Sequence, residues 1–248
     1  MKVSLVTVCF NSDTTIKDTI ESVLSQSYPD IEYIIIDGAS TDKTLDIINA
    51  YSDRIHKVVS EPDQGIYDAM NKGIKLATGD VIGILNSDDF YPNQHVIQDV
   101  VNQFELDQDA DMVLGGVEFV RSDNLSRVIR RYSSVGFLPW HMRFGWMPPH
   151  PGSFMKSAVY RQVGYYKLGF KIGADYDFFL RALCVKKLRY RTVNSCWVKM
   201  RTGGISTSGL ESFKVITREI VLSARECGIY TNSLFVASRV IFKLLQLR

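Results

Sequence analysis

Apolar and polar positions alternate along this chain in blocks, switching between continuous apolar runs and a helical repeat. Residues 3–10 form an apolar run rich in β-branched side chains. Residues 14–27 then place Ile16, Ile20, Val23 and Leu24 at helical spacing, and Tyr28-Pro29-Asp30 punctuates the end. A second buried strand follows at 31–37, and a helix at 41–51 with Ser40 or Thr41 available to cap it. The pattern repeats with a strand at 56–60, a helix at 66–77 and a strand at 81–85. Apolar runs of this kind fit parallel strands covered on both faces. Strand–helix alternation predicts an α/β fold, a doubly wound, mainly parallel sheet flanked by helices.

The second half has a different texture. A helix near 94–104 and a strand at 112–117 continue the alternation, but aromatics, Pro and Gly crowd residues 137–154. A helix at 174–185, a strand at 190–200 and two closing helices are predicted beyond them. No internal repeat or low-complexity linker divides the chain. The expectation is one domain over 1–248, with a nucleotide-binding half (1–117), an irregular half shaping a second ligand site (118–208) and C-terminal helices (209–248).

Composition narrows the function. Hydrophobic residues make up 46% of the chain and charged ones 23%, ordinary for a packed globular protein. A net charge of +2 is too small to suggest nucleic acid as a partner. Cys9, Cys184, Cys196 and Cys227 include no C-x-x-C pair, which argues against a zinc or thioredoxin-like motif and suits a reducing compartment. The first apolar run stops at Asn11-Ser12-Asp13 without a cleavage site, and no apolar stretch has the length of a membrane span. A cytoplasmic location is expected. Basic groups at Arg127, Arg130 and Arg131 and at Lys186, Lys187, Arg189 and Arg191 read as solvated charge or as attraction to anionic lipid. Over residues 234–247, Arg239, Lys243 and Gln246 make a narrow polar stripe on an otherwise apolar helix. Such a helix suits peripheral contact with an anionic membrane through 232–248, or a core or homodimer contact.

In open α/β sheets, ligands bind beyond the carboxyl ends of the strands. Four strand ends here deliver polar groups to one edge: Asn11, Asp37-Gly38, Glu61-Pro62-Asp63-Gln64-Gly65, and Asn86-Ser87-Asp88-Asp89. Adjacent carboxylates repel unless a cation or donors offset them. A hard divalent ion, Mg²⁺ or Mn²⁺, does so with one or two carboxylates while leaving positions for phosphate oxygens. Asn-Ser-Asp-Asp is also good turn chemistry, so the tetrapeptide alone leaves turn and metal site both open. An acid after the second strand would suit a dinucleotide site too. That site requires G-x-G-x-x-G after strand one, where this chain reads Asn11-Ser12-Asp13-Thr14-Thr15.

Together these segments resemble the family 2 glycosyltransferases, which are inverting enzymes of GT-A fold. The matching stretches are 4–11, 37–44, 61–73, Gly79-Asp80, 86–89, His150-Pro151-Gly152-Ser153-Phe154, Ala174-Asp175-Tyr176-Asp177 and Gly203-Gly204-Ile205-Ser206, in the family's order. Residues 60–73 are especially similar to bacterial exopolysaccharide, O-antigen and colanic-acid members. The resemblance implies that Asp37 contacts the uracil of a UDP-sugar beside Asn11 and Asp63. It places Gly65, Asn71 and Lys72 at the donor, although Lys72 also reads as a solvated helix face. Asp88 matches the last acid of the D-x-D motif and would ligate Mn²⁺ or Mg²⁺, with Asp89 assisting. Asn86 stands where that motif begins with Asp, so it carries no charge to the metal.

Asp175 resembles the family's catalytic base, with Ala174 where the family has Glu; Asp in a first helical turn is also ordinary capping chemistry. His150 and Trp146 are implied on the acceptor or diphosphate side, while aromatics at such spacing also read as core. The implied reaction is inverting, non-processive transfer of a hexose from a UDP-sugar to a lipid-diphosphate-linked oligosaccharide, on the cytoplasmic face of the inner membrane. The processive members' Gln-x-x-Arg-Trp motif is absent. A sugar nucleotidyltransferase would want a glycine-rich basic loop after strand one. The remaining alternative is a non-catalytic nucleotide-sugar-binding or scaffold subunit.

Overall fold

A computed structural model of the chain describes residues 1–203 and 210–240. The expected apolar runs become strands β1 (Val3–Cys9), β2 (Ile31–Asp37), β3 (Lys57–Ser60) and β4 (Val81–Asn86). Between them lie helices α1 (Ile16–Leu24), α2 (Thr44–Asn49) and α3 (Ile66–Leu76). Beyond β4 come β5 (Asp89–Phe90), α4 (Val96–Leu106), β6 (Met112–Arg121), β7 (Asn124–Tyr132), β8 (Ser153–Lys156), α5 (Ser157–Val163), α6 (Ala174–Leu180), β9 (Tyr190–Arg201), α7 (Leu210–Glu226) and α8 (Ser233–Ala237).

One sheet holds all nine of these strands, in the order β3-β2-β1-β4-β8-β6-β9-β5, with β7 paired to β6. The first four strands are mutually parallel, with Val8 opposite both Ile36 and Asn86. β8 runs antiparallel between β4 and β6, and β9 returns parallel to β6. The sheet is thus mainly parallel, as expected. The short antiparallel β5 and β8 escape a periodicity reading because two and four residues carry too little pattern.

Strand alternation divides the core into two layers. Val6, Val8, Ile34 and Ile36 face α3, α6 and α7. Leu5, Cys9, Tyr33 and Ile35 face α1, α2 and α4. The helix expected over 174–185 starts as α6 and finishes as a π-helical turn over Arg181–Val185.

Four residues of the basic clusters are engaged locally. Arg131 bonds Glu118 across β6–β7 at 2.7 Å, and Arg130 lies over the Phe119 ring at 3.9 Å. Arg189 pairs with Asp109 at 3.0 Å, and Arg191 bonds Gln103.

Of the C-terminal polar stripe the structure describes Arg239, which follows the core alternative. Arg239 turns inward, 6% exposed, with its guanidinium over Phe213 and bonded to the Phe213 carbonyl and Thr217 hydroxyl. Val236 is buried and Phe235 stacks on Phe144 at 5.1 Å, so α8 and the nearby Arg239 both pack inward. Lys243 and Gln246, like Gly204, Ile205 and Ser206, lie outside the described residues.

Candidate active site

The carboxyl ends of β2, β1 and β4 sit side by side, which brings the acidic strand ends into one cleft. Asn11, at φ +48°, lies just beyond β1 and reaches across to the loop after β2. Its side-chain carbonyl accepts from Thr41 N at 2.9 Å, and its own N–H donates to Ser40 Oγ at 2.8 Å.

Asp37 closes β2 completely buried, accepting from Ser40 N at 3.0 Å and Ser60 Oγ at 2.7 Å, and also from Ser40 Oγ. Ser40 thus engages both oxygens of this carboxylate. Asp63 lies over the backbone of Gly38, where an added Cβ would fall 2.5 Å from Asp63 Oδ2. Only glycine permits that approach. Asp63 Oδ1 also accepts from the N–H of Gly65, whose φ of +110° turns the chain into α3. Asn11, Asp37, Asp63 and Gly65 are therefore brought together.

Asn71 and Lys72 are held differently. Asn71 is buried, and its amide exchanges two bonds with the Tyr166 backbone at 2.8 and 2.9 Å, which commits it to packing. Lys72 pairs with Glu61 at 2.9 Å and Asp68 at 3.6 Å, and donates to the Pro62 carbonyl at 2.8 Å. It thereby braces the 61–65 loop from its helix.

The end of β4 differs from its neighbours. Thr19 Oγ1 donates to the carbonyls of Ser87 and Asp89, and Ser87 Oγ meets Ser12 Oγ at 2.8 Å, which fixes the turn to α1 and β1. Arg201, from the end of β9, donates to the Asp88 carbonyl at 2.7 Å and pairs with Asp18. The carboxylates receive much less. Among the described residues, Asp89 is 1% exposed with Oδ1 unpartnered and Oδ2 meeting only Asn86 Nδ2 at 3.4 Å, and Asn86 Oδ1 is likewise buried without a partner. Burial pushes both Asp88 and Asp89 above the usual carboxylate range; for Asp89 the neighbouring Asp88 charge adds to it.

Unpaired oxygens of this kind suit a cation. Among the described residues no three His, Cys, Asp or Glu side chains converge as a closed metal cage. One or two carboxylates with open positions are what Mg²⁺ and Mn²⁺ use beside phosphate oxygens, so the residues present fit such an ion.

Asp175 sits in the first turn of α6, half-buried, with Oδ1 accepting from Tyr176 N at 2.7 Å. Burial pushes it up to about 6, opposed by the Tyr176 N–H and the Tyr67 hydroxyl and reinforced by Glu219. Tyr67 belongs to α3, which begins at the donor-side loop, so one helix touches both parts of the cleft.

His150 is buried, bonded through Nε2 to Tyr166 Oη at 2.7 Å, and burial pushes it down to about 4. It is neutral at physiological pH and sits in the aromatic layer behind Asp175, so it brings no charge to a diphosphate. Trp146 stacks on His141 at 4.4 Å and meets Phe137 edge-on, within the irregular segment beside β7.

Sequence reasoning overlooked Arg201, Ser40, Tyr67 and Glu219. Arg201 ends a strand, and Tyr67 lies within the 60–73 match, so position would have flagged both. Ser40 lies within the 37–44 match and bonds Asp37 three residues before it, whereas Glu219 owes its place to tertiary contacts alone.

Comparison with known proteins agrees with this geometry. Residues 4–170 match the family "Glycosyl transferase family 2". An uncharacterized glycosyltransferase of Mycobacterium tuberculosis is 33% identical over 188 residues, covering 74% of this chain and 69% of that protein. A putative teichuronic acid biosynthesis glycosyltransferase of Bacillus subtilis is 43% identical over 90 residues, 35% of this chain and 36% of that one. Among solved structures, S. aureus TarS 1–349 in complex with UDP-GlcNAc superposes with TM-score 0.69 at 19% identity, over 90% of this chain and 66% of that chain. Glucosyl-3-phosphoglycerate synthase from M. tuberculosis, in complex with Mg²⁺ and UDP, gives 0.62 at 17% identity, over 92% and 80%. The mainly parallel sheet with flanking helices is the GT-A fold of these structures, and the chain belongs to glycosyl transferase family 2.

Proposed function

We propose that the chain catalyses inverting, non-processive transfer of a hexose from a UDP-sugar to a hydroxyl of a lipid-diphosphate-linked oligosaccharide, in the synthesis of a bacterial surface polysaccharide. The observation that carries the reading is the pair of buried oxygens on Asn86 and Asp89, unpartnered among the described residues, beside Asp88 at the carboxyl end of β4. Relatives named for teichuronic acid and for PGL/p-HBAD biosynthesis support the surface-glycan context.

In this reading Asn11, Asp63 and the Asp37–Ser40 pair receive the nucleoside, and Gly65 and Lys72 shape the loop beside it. Asp88 holds the divalent ion, Mn²⁺ or Mg²⁺, and Asp89 and Asn86 back it. Such an ion, when bound, offsets the charge on the departing diphosphate. Asp175 accepts the proton of the acceptor hydroxyl as that oxygen bonds to the anomeric carbon and the carbon–oxygen bond to UDP breaks. A carboxyl group near 6 is largely ionised at neutral pH yet basic enough to take the proton. The single displacement inverts the anomeric centre, giving a β-linkage from an α-linked donor. His150 and Trp146 order the acceptor side from within the aromatic layer.

Peripheral contact with an anionic membrane fits the face that carries the start of 232–248. Trp140, Tyr230 and Leu234 are exposed beside a groove of about 590 Å³ that Arg143 and Lys187 also line. Among the described residues no helix is long and apolar enough to cross a membrane.

Calorimetric titration of UDP with Mn²⁺ present, together with UDP release from a panel of UDP-sugars, tests the reading. Wild type binds UDP in a metal-dependent way; Asp175→Asn keeps that binding and loses transfer. Undiminished turnover by Asp175→Asn removes it as base, and wild-type UDP binding without turnover of any sugar favours a non-catalytic subunit.

A further inference from the structure

Asp175 is carried by a turn that two other elements grip. The carboxylate of Glu219, from α7, accepts three consecutive backbone N–H groups: Lys171 at 2.7 Å on Oε1, then Ile172 at 3.1 Å and Gly173 at 2.8 Å on Oε2. Charge-assisted bonds to a carboxylate are the stronger class, and three on one side chain fix the local backbone. Gly173 has no side chain to obstruct this, since an added Cβ would fall 3.2 Å from Glu219 Cβ and Oε2. From the opposite side, the Tyr67 hydroxyl donates to the Ile172 carbonyl. α6 starts at the next residue after Gly173, and Asp175 is its second.

We propose that Glu219 is the positioning residue for Asp175, fixing from α7 the turn that presents this carboxylate to the acceptor hydroxyl. The inference rests on the reading of Asp175 as the base and adds a residue that touches neither donor nor acceptor. Its grip answers that of Tyr67, whose helix begins at the donor-side loop. The turn therefore holds its place relative to the donor as well as to α7.

A second consequence concerns charge. The titratable groups facing Asp175 are Tyr67 from α3, Tyr132 from β7, Tyr166 from the segment before α6, and Glu219. Burial pushes the three tyrosines above their ordinary values, so they stay neutral at physiological pH. The Glu219 carboxyl raises Asp175 further, because a like charge favours its protonated form. Removing it lowers the basicity of Asp175.

The decisive comparison is Glu219→Gln against Ser223→Ala in the full chain. Ser223 also links α7 to α6, through Asp177 at 2.8 Å, but leaves the 171–173 turn alone. The readouts are the pH dependence of UDP release and the carboxyl ¹³C NMR titration of Asp175. UDP release uses whichever of UDP-glucose, UDP-galactose and UDP-N-acetylglucosamine wild type turns over fastest. Glu219→Gln is expected to lower kcat about ten-fold or more with KM for the UDP-sugar within about two-fold. Its acid limb and the Asp175 titration move below the wild-type position near pH 6. Ser223→Ala moves neither. If Glu219→Gln fails to fold, Glu219→Asp keeps the charge but withdraws the carboxylate by one methylene, and must lower kcat with the acid limb in place. Wild-type kcat and an unmoved titration in Glu219→Gln, or identical behaviour of Glu219→Gln and Ser223→Ala, overturn the proposal. Full turnover by Asp175→Asn instead overturns the base assignment on which it rests.

Discussion

Two buried acidic sites lie at opposite ends of the same parallel strands and are treated in opposite ways. At the amino end, Glu32 of β2 accepts from Ser4 Oγ, from Thr78 N and Oγ1 at 2.7 and 2.6 Å, and from Lys2 Nζ at 3.0 Å. Burial alone would raise its pKa, but these donors hold it down to about 2. At the carboxyl end, Asp89 is more deeply buried and, among the described residues, receives one long contact while Asn86 Oδ1 receives none, and burial wins over the donors. A chain that satisfies one buried carboxylate four times over can plainly do so. Leaving the other bare is the mark of a place kept for something the chain does not itself supply, which for hard oxygens means a cation. Stability is concentrated at one end of the sheet and chemistry at the other.

Substitutions at the two ends sharpen or break this contrast. The largest effect belongs to chemistry: Asp175→Asn lowers kcat by about a thousand-fold, read as UDP release, because a general base contributes on that order. The same variant gains stability. Asp175 is held near 6 against an ordinary 3.8, so it contributes stability below about pH 3.8 that is lost as pH rises through 6. Urea unfolding should find Asp175→Asn up to about 3 kcal/mol more stable than wild type at pH 8 and no more stable at pH 3.5. Equal stability at both pH values would show that Asp175 is not desolvated.

Glu32→Ala goes the other way, costing about 3 kcal/mol at pH 7 because the buried Ser4 hydroxyl and three part-buried donors lose their acceptor, while metal-dependent UDP binding by the folded protein is unchanged. For wild type the sign is set by a lowered pKa. This contribution is present above about pH 4.5 and lost as pH falls toward 2, which acid unfolding of wild type against Glu32→Ala should display. The smallest effect is at Asp88. Without metal, Asp88→Asn raises the unfolding free energy by up to about 1 kcal/mol, since a poorly compensated buried charge is removed. A loss of stability there would place Asp88 with Glu32 as a structural acid.

The sequence announced the carboxyl-end site better than the amino-end one. Asn86-Ser87-Asp88-Asp89 stood out because acids directly follow an apolar strand, and β2 fell on 31–37 because six of its seven residues are fully covered. Glu32 was invisible within that run, since nothing local signals that Thr78 and Lys2 converge on it. Asn71 shows the converse. Its place in a donor-like segment suggested a ligand contact, but its amide is spent on the Tyr166 backbone, 95 residues away. Arg239 looked like a polar stripe because helical periodicity does not say which face meets the core. β7 was missed because its residues are mostly exposed or half-covered and its arginines read as a charge cluster instead of cross-strand partners. Glu219 needed the tertiary structure, since its three acceptor contacts reach a turn 46 to 48 residues away.

The most direct test of the contrast is calorimetry of UDP binding with and without Mn²⁺, on wild type and Asp88→Asn. Wild type should bind UDP about a hundred-fold more tightly with the ion than without it, about 2.7 kcal/mol, and Asp88→Asn should lose that enhancement while still folding. Metal-independent UDP binding in wild type, or an enhancement retained by Asp88→Asn, would contradict the assignment of the β4 end as the cation-binding edge of the donor site.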